Sequence, residues 1–144
     1  MVVGFTGTRE GMTLEQKRVV DEILEMWSPQ LLRHGDCVGA DHDAHVLAYQ
    51  RGILVDLHPP IVPTHRAFCN RLYPNVSVVW PEKDYLKRDR EIVDNSDKLI
   101  ATPKEFFDKT RSGTWYTVRY AFKTWDLLDR VAVVYPDGTT SRFV

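Results

Sequence analysis

Apolar positions fall into short runs and helical stripes that alternate along the whole chain. Met1 to Thr6 is an apolar run stopped by Gly7, the form of a buried strand. Thr13 with Gln16 three residues on makes a capping box, so a helix is expected to begin there. Its stripe is Val20, Ile23, Leu24 and Trp27, and Ser28-Pro29 closes it. Leu31-Leu32 opens a second short strand that ends at Gly35-Asp36. Ala40, Ala44, Leu47, Ala48 and Arg51 define the face of a second helix, with Gly52 as its stop. Ile53 to Leu57 reads as a third strand. Pro59 to Pro74 is proline-rich and loop-like, with a helical turn expected around Arg66 to Leu72, and Val76 to Trp80 is a fourth strand. Asp84 to Asn95 forms a third helix, and Leu99 to Thr102 a central strand. Thr114 to Trp125 is the clearest helix, with Trp115, Val118, Phe122 and Trp125 on one face. Val131 to Tyr135, a Pro136-Asp137-Gly138 turn and Thr140 to Val144 read as strand, turn and return strand.

Strand and helix thus alternate from end to end. The pattern predicts an α/β fold: a Rossmann-like three-layer sandwich with a mainly parallel sheet, helices on both faces and an antiparallel C-terminal edge strand. One domain over residues 1–144 accounts for all of it, since the chain shows neither repeats nor low-complexity tracts.

Composition narrows the setting. With 43% hydrophobic and 27% charged residues the chain reads as a soluble globular domain. A net charge of −1 argues against bulk attraction to nucleic acid or to an anionic membrane, but leaves room for a local basic site. Cys37 and Cys69 are isolated and make no disulfide framework, so a reduced, cytoplasmic setting is expected. The Met1–Gly7 run is too short for a signal peptide, and no apolar run approaches membrane-spanning length.

In an open parallel sheet, ligands bind outside the carboxyl ends of the strands. Three segments fall there: Thr6-Gly7-Thr8-Arg9, His34 to Asp41, and Thr102 to Thr114. Each joins a glycine to a nearby helix N-terminus, where unpaired N–H groups and the helix dipole favour an anion. Arg9 and Arg111 offer fork-shaped donors to phosphate, or are solvated surface arginines. Asp41 suits ribose hydroxyls, and suits equally the capping of a helix. Asp89 falls among the apolar positions Tyr85, Leu86, Ile92 and Val93 of its helix. A charge there implies a paired ion, with Arg88 or Arg90 as partner, or a polar cavity. His42 and His45 could share a helix face, but His34 and His58 lie on other elements, so no metal site is expected. Trp115, Phe122 and Trp125 read as core or subunit contact rather than as a base-stacking platform. Phe106 and Phe107 sit in a charged loop that could cover a ligand or pack on a partner subunit.

The ordered series Gly-x-Thr-Gly-x-Arg, His-Gly-Asp-x-x-Gly-Ala-Asp, Arg-Asp-x-x-Ile-Val, Leu-Ile-Ala and Gly-Thr resembles the SLOG superfamily of nucleotide-binding domains. That superfamily includes the DNA-processing protein A (Smf) domain and the Lonely Guy phosphoribohydrolases. The likeness runs from about Val3 to Val134 and is strongest to small single-domain bacterial and phage members. The resemblance implies a Rossmann-like domain that binds a nucleotide or nucleotide derivative along the carboxyl edge. Gly7, Thr8 and Arg9 match its first glycine loop; Gly35, Gly39, Ala40 and Asp41 match its second. Arg88 and Asp89 stand where the small members have Arg-Asn. Gly113 and Thr114 match the phosphate-binding Gly-Thr, with Arg111 and Ser112 beside them.

One departure bears on activity. The Lonely Guy enzymes follow a Pro-Gly-Gly-x-Gly-Thr loop with a catalytic glutamate, whereas no acidic residue follows Gly113-Thr114 in Trp115-Tyr116-Thr117-Val118. A phosphoribohydrolase needs a carboxylate to stabilise ribosyl cation character or to activate water. Asp41 and Asp89 are the motif carboxylates that could serve as catalytic residues in its place. The leading expectation is a nucleotide-binding or sensor domain, with a nucleotide ligand, no required cofactor and a homo-oligomeric state. The alternative is an N-glycosidic hydrolase that releases a base from a nucleotide. Single-stranded DNA binding, as in larger Smf proteins, is disfavoured by the charge balance.

Overall fold

The capping box forms as the sequence demands: the Gln16 N–H donates to Thr13 Oγ1 at 3.0 Å and the Thr13 N–H to Gln16 Oε1 at 2.9 Å. It starts α1 (Leu14–Trp27), which ends at Ser28 in a left-handed conformation. The structure, a computed structural model, describes residues 1–126 and 128–141. Along the chain α1 lies between β1 (Val2–Gly7) and β2 (Leu31–His34), and α2 (Ala40–Gln50) leads to β3 (Leu54–Leu57). A 3-10 turn at Pro63–His65 and the short α3 (Cys69–Leu72) precede β4 (Val76–Val79). Then follow α4 (Tyr85–Asp94), β5 (Lys98–Thr102), α5 (Gly113–Trp125) and β6 (Val131–Val133).

The six strands form one sheet in the order β4-β3-β2-β1-β5-β6, and every pairing is parallel. From β1 the chain builds outward to β4, then crosses back to lay β5 on the other edge of β1. The order therefore reverses between β1 and β5, where the loops leaving their carboxyl ends diverge and open a crevice. Both faces are covered, which explains why the strands read as unbroken apolar runs. Val3, Phe5 and Ile100 pack in one core with Val20, Ile23 and Ala44 of α1 and α2. Leu99, Ala101 and Val131 pack in a second core with Val93, Trp115 and Val118 of α4 and α5. Trp115 is thus core, with Phe122 and Trp125 partly buried against the same cluster.

Three expectations need correction. Leu99–Thr102 lies inside the sheet beside β1, but β1 and β2 hold its middle. The C-terminal edge strand is β6, which runs parallel to β5; the antiparallel return is a single bridge between Val134 and Thr140. The rest of that expected strand, residues 142–144, lies outside the described residues. The proline-rich stretch is more ordered than a loop because Asp36 pins it. Asp36 accepts the Cys69 N–H at 3.0 Å and Arg66 Nε at 2.8 Å, and its carbonyl accepts the Ala67 N–H at 2.7 Å.

Candidate functional site

A cavity of about 530 Å³ opens at the β1/β5 switch point. Its floor and walls come from the end of β1 and the loop after it, the β2–α2 loop and the first turn of α2, one face of α4, and the loop after β5 with the first turn of α5. Among the expected residues, Gly7, Thr8 and Arg9 line it from the first loop, and Gly35 and Asp41 from the second. Arg88 and Asp89 line it from α4, and Arg111, Ser112, Gly113 and Thr114 from the third loop. Gly39 and Ala40 lie outside the wall and buttress it. The Ala40 N–H donates to the Thr8 carbonyl at 3.0 Å, while Gly39 has φ +92° and a Cβ there would lie 2.2 Å from the Arg9 carbonyl oxygen. Only glycine allows that approach of the two loops.

The deep end is built around Arg88, which is 7% exposed. Its Nη1 donates to the Gly35 carbonyl at 2.8 Å and to Cys37 Sγ at 3.2 Å. A Cβ on Gly35 would stand 2.2 Å from that nitrogen, so the glycine makes room for the guanidinium. Arg88 Nε lies 3.2 Å from Asp89 Oδ1 in an ion pair, at an angle that leaves the buried Nε–H without a hydrogen bond among the described residues. Asp89 is therefore both a paired ion and a cavity residue, and Arg90 reaches instead to Tyr116 Oη at 2.9 Å. Asp41 does not cap α2, whose N-cap is Gly39; its Oδ2 accepts the Cys37 N–H at 3.2 Å.

Burial decides the protonation here. It pushes the Asp41 carboxyl up to about 7, with the Arg88 charge pulling the other way. It pushes Asp89 up to about 6, again against Arg88. Burial also pushes the Cys37 thiol up to about 11, so no thiolate forms near neutrality. Two carboxyls that titrate near neutrality in one cavity can exchange protons with a bound molecule.

The mouth is cationic. Arg9 and Arg111 are exposed there, Lys104 pairs with Glu10 at 3.3 Å, and Lys109 pairs with Glu105 at 3.9 Å. Ser112 caps α5 by accepting the Trp115 N–H at 3.2 Å, which leaves the first turn, with Gly113 and Thr114, facing the cavity. The positive end of the helix dipole adds to the arginines. Phe106 and Phe107 are exposed in this loop, and Phe106 stacks on Tyr135 with ring centroids 6.1 Å apart.

Sequence reasoning missed Tyr85 as a cavity wall and the two lysines of the mouth. Tyr85 stands three and four positions before Arg88 and Asp89, so helical spacing places it on their face. Its partner in the stripe, Leu86, is half exposed at the cavity mouth rather than buried.

His34, His45 and Cys69 bring ligand atoms within 4.8 Å of one another, the sort of grouping a metal could use. The hydrogen bonds argue otherwise. His34 Nδ1 accepts the Asp36 N–H at 2.9 Å, so its proton sits on Nε2 and is donated to His45 Nδ1 at 2.8 Å. His45 Nε2–H then donates to Asn75 Oδ1 at 3.0 Å, and Asn75 Nδ2 to the Ile53 carbonyl at 2.9 Å. A metal on His34 Nε2 would force a proton onto Nδ1, where it would face the Asp36 N–H. The residues do not fit a metal. His42 turns away to Tyr73 Oη at 2.8 Å and does not converge with His45.

Among the described residues, no helix is long and apolar enough to cross a membrane. No protein-family model matches the chain, and no curated protein matches it at a significant level. Solved structures do. The molybdenum cofactor binding protein of Rippkaea orientalis superposes with a TM-score of 0.67 at 19% identity, covering 93% of this chain and 76% of that one. DNA processing protein A of Streptococcus pneumoniae gives 0.65 at 18% identity over 92% of this chain. The Helicobacter pylori protein of the same name, described for its single-stranded DNA binding mode, gives 0.63 at 20% identity over 92%. The chain spans 49% and 64% of those two DNA processing proteins. These neighbours include a protein that binds single-stranded DNA, so the expectation that nucleic acid is no partner gains nothing from the fold. Identities this low speak to architecture alone: the chain shares with these structures a Rossmann-like α/β fold, a parallel sheet with helices on both faces.

Proposed function

We propose that the cavity binds a nucleotide or nucleotide-derived small molecule, making the chain a sensor or binding domain. The observation that carries this reading is the polarity of the cavity. At the mouth Arg111 precedes the N-terminus of α5 and Arg9 stands by Tyr85 of α4, while Asp41, Arg88 and Asp89 are buried deeper. The mouth suits phosphate, by fork-shaped donors and helix dipole, and the deep carboxyls suit ribose hydroxyls or base N–H groups. A volume of about 530 Å³ is within the range of small-molecule sites. Calorimetry with a panel of nucleoside phosphates tests it: Arg9→Ala should weaken binding about tenfold or more, the loss of one charge-assisted contact. Equal affinity in the variant would overturn the phosphate assignment.

A second reading is favoured by the raised carboxyls. Asp41 near 7 and Asp89 near 6 could act as proton donor and cation stabiliser in cleaving an N-glycosidic bond. Release of free base from the same panel supports it; no turnover leaves the binding reading alone.

A further inference from the structure

The Arg9 guanidinium at the cavity mouth does not swing free. Its Nη1 bonds His65 Nδ1 at 2.9 Å, and its Cζ lies 5.8 Å from the centre of the Tyr85 ring. Tyr85 Oη bonds the same His65 nitrogen. An arginine only donates, so that nitrogen must present its lone pair and the His65 proton must sit on Nε2. Three elements meet at this point: the loop after β1, the 3-10 turn at Pro63–His65 and the start of α4. Arg88 lies over the same Tyr85 ring at 5.2 Å, so the phenol is in reach of both the mouth arginine and the deep one.

His65 can do this because its backbone is fixed from two sides. Its carbonyl accepts the Val38 N–H at 2.9 Å, and the next residue, Arg66, bridges to Cys37 and pairs with buried Asp36. The proline-rich segment is thereby stitched to the β2–α2 loop that forms the other side of the cavity.

We propose that His65 is a positioning residue for ligand binding: its Nδ1 lone pair, shared with the Tyr85 hydroxyl, holds the Arg9 guanidinium over the Tyr85 ring, aimed at an incoming phosphate. An exposed arginine loses rotamer freedom when it grips an anion, and a side chain ordered beforehand loses less. The inference rests on the nucleotide reading of the cavity and adds to it the residue that prepares the site before the ligand arrives.

The test is a double-mutant cycle with the adenosine, guanosine, cytidine and uridine 5′-monophosphates as probes, read by calorimetry on the whole chain. His65→Ala should weaken binding about three- to tenfold, the range expected from releasing one ordered long side chain. His65→Asn, which keeps an acceptor near the position of Nδ1, should restore most of that loss. Arg9→Ala combined with His65→Ala should bind no more weakly than Arg9→Ala alone, because the histidine acts through the arginine. In the unliganded wild type, nitrogen NMR should find His65 Nδ1 unprotonated. Additive losses in the cycle, wild-type affinity in His65→Ala, or a proton on Nδ1 would overturn the inference and leave the nucleotide reading intact. Failure of the wild-type chain to bind any of the four probes would overturn the nucleotide reading, and this inference with it.

Discussion

Two buried polar clusters lie either side of the β2–α2 loop, and they are finished to different degrees. In the histidine cluster each donor meets an acceptor, from the Asp36 N–H through His34, His45 and Asn75 to the Ile53 carbonyl. In the cavity, Arg88 Nε has no hydrogen bond among the described residues, and burial raises two carboxyls far above their ordinary range. A closed network rigidifies and specifies a fold; one left open beside a cavity has bonding capacity that a ligand can complete. The difference tells structure from site more reliably than residue type does, since histidines invite a functional reading and here form the scaffold.

The clusters also respond to pH with opposite signs. Burial holds His34 and His45 below the usual imidazole range. The unfolded chain binds more protons there, so stability from these groups is lost as pH falls below about 6.5. Asp41 and Asp89 keep their protons longer in the folded state, so their contribution is full below 3.8 and is lost as pH rises from there to about 6 to 7.

The largest expected effect comes from opening the closed cluster. His34→Ala leaves the Asp36 N–H and His45 Nδ1 without partners and a void under β2, and should cost about 3–5 kcal/mol in denaturant unfolding. A cost below 1 kcal/mol would mean that the histidine chain is not scaffold. Next, Asp41→Asn keeps an acceptor for the Cys37 N–H but removes the buried charge. At pH 8 it should stabilise the fold by on the order of 2–4 kcal/mol over wild type, and below the ordinary carboxyl value of 3.8 the two should agree. Destabilisation at pH 8 would erase the contrast between the clusters. The smallest effect belongs to the mouth: Arg111→Ala should lower nucleoside phosphate affinity about tenfold, near 1.4 kcal/mol, with an unchanged melting temperature. A drop in melting temperature would make Arg111 part of the scaffold instead.

What could be read from the chain was what local spacing controls. The capping box at Thr13, the apolar runs of β1 and β5 and the Gly113-Thr114 start of α5 each depend on residues a few positions apart. The cavity wall depended on which loops face one another, and there local spacing fell short. Gly39 and Ala40 matched a motif yet serve as buttress, because the turn at Gly39 packs on the Arg9 carbonyl rather than facing the crevice. Helical spacing puts Tyr85 on the face of Arg88 and Asp89, but its contacts with His65 and Arg9 are set by the fold and not by local spacing. Asp36 read as the end of a strand; its left-handed conformation and three hydrogen bonds make it the pin of a segment that composition describes as loop.

The central place of β1 has a consequence for how the site comes into being. The first strand made finds β2 soon, but its other edge waits for β5: the Val2 N–H donates to an Asp97 oxygen across 95 residues of chain. Until that pairing closes, the glycine loop after β1 faces solvent with no opposite wall, and α5 has not been placed. Such non-local pairing forms late and slowly. The cavity is therefore a product of finished folding, and occupancy by ligand would report that the whole chain, from its first strand to its last long helix, has been assembled.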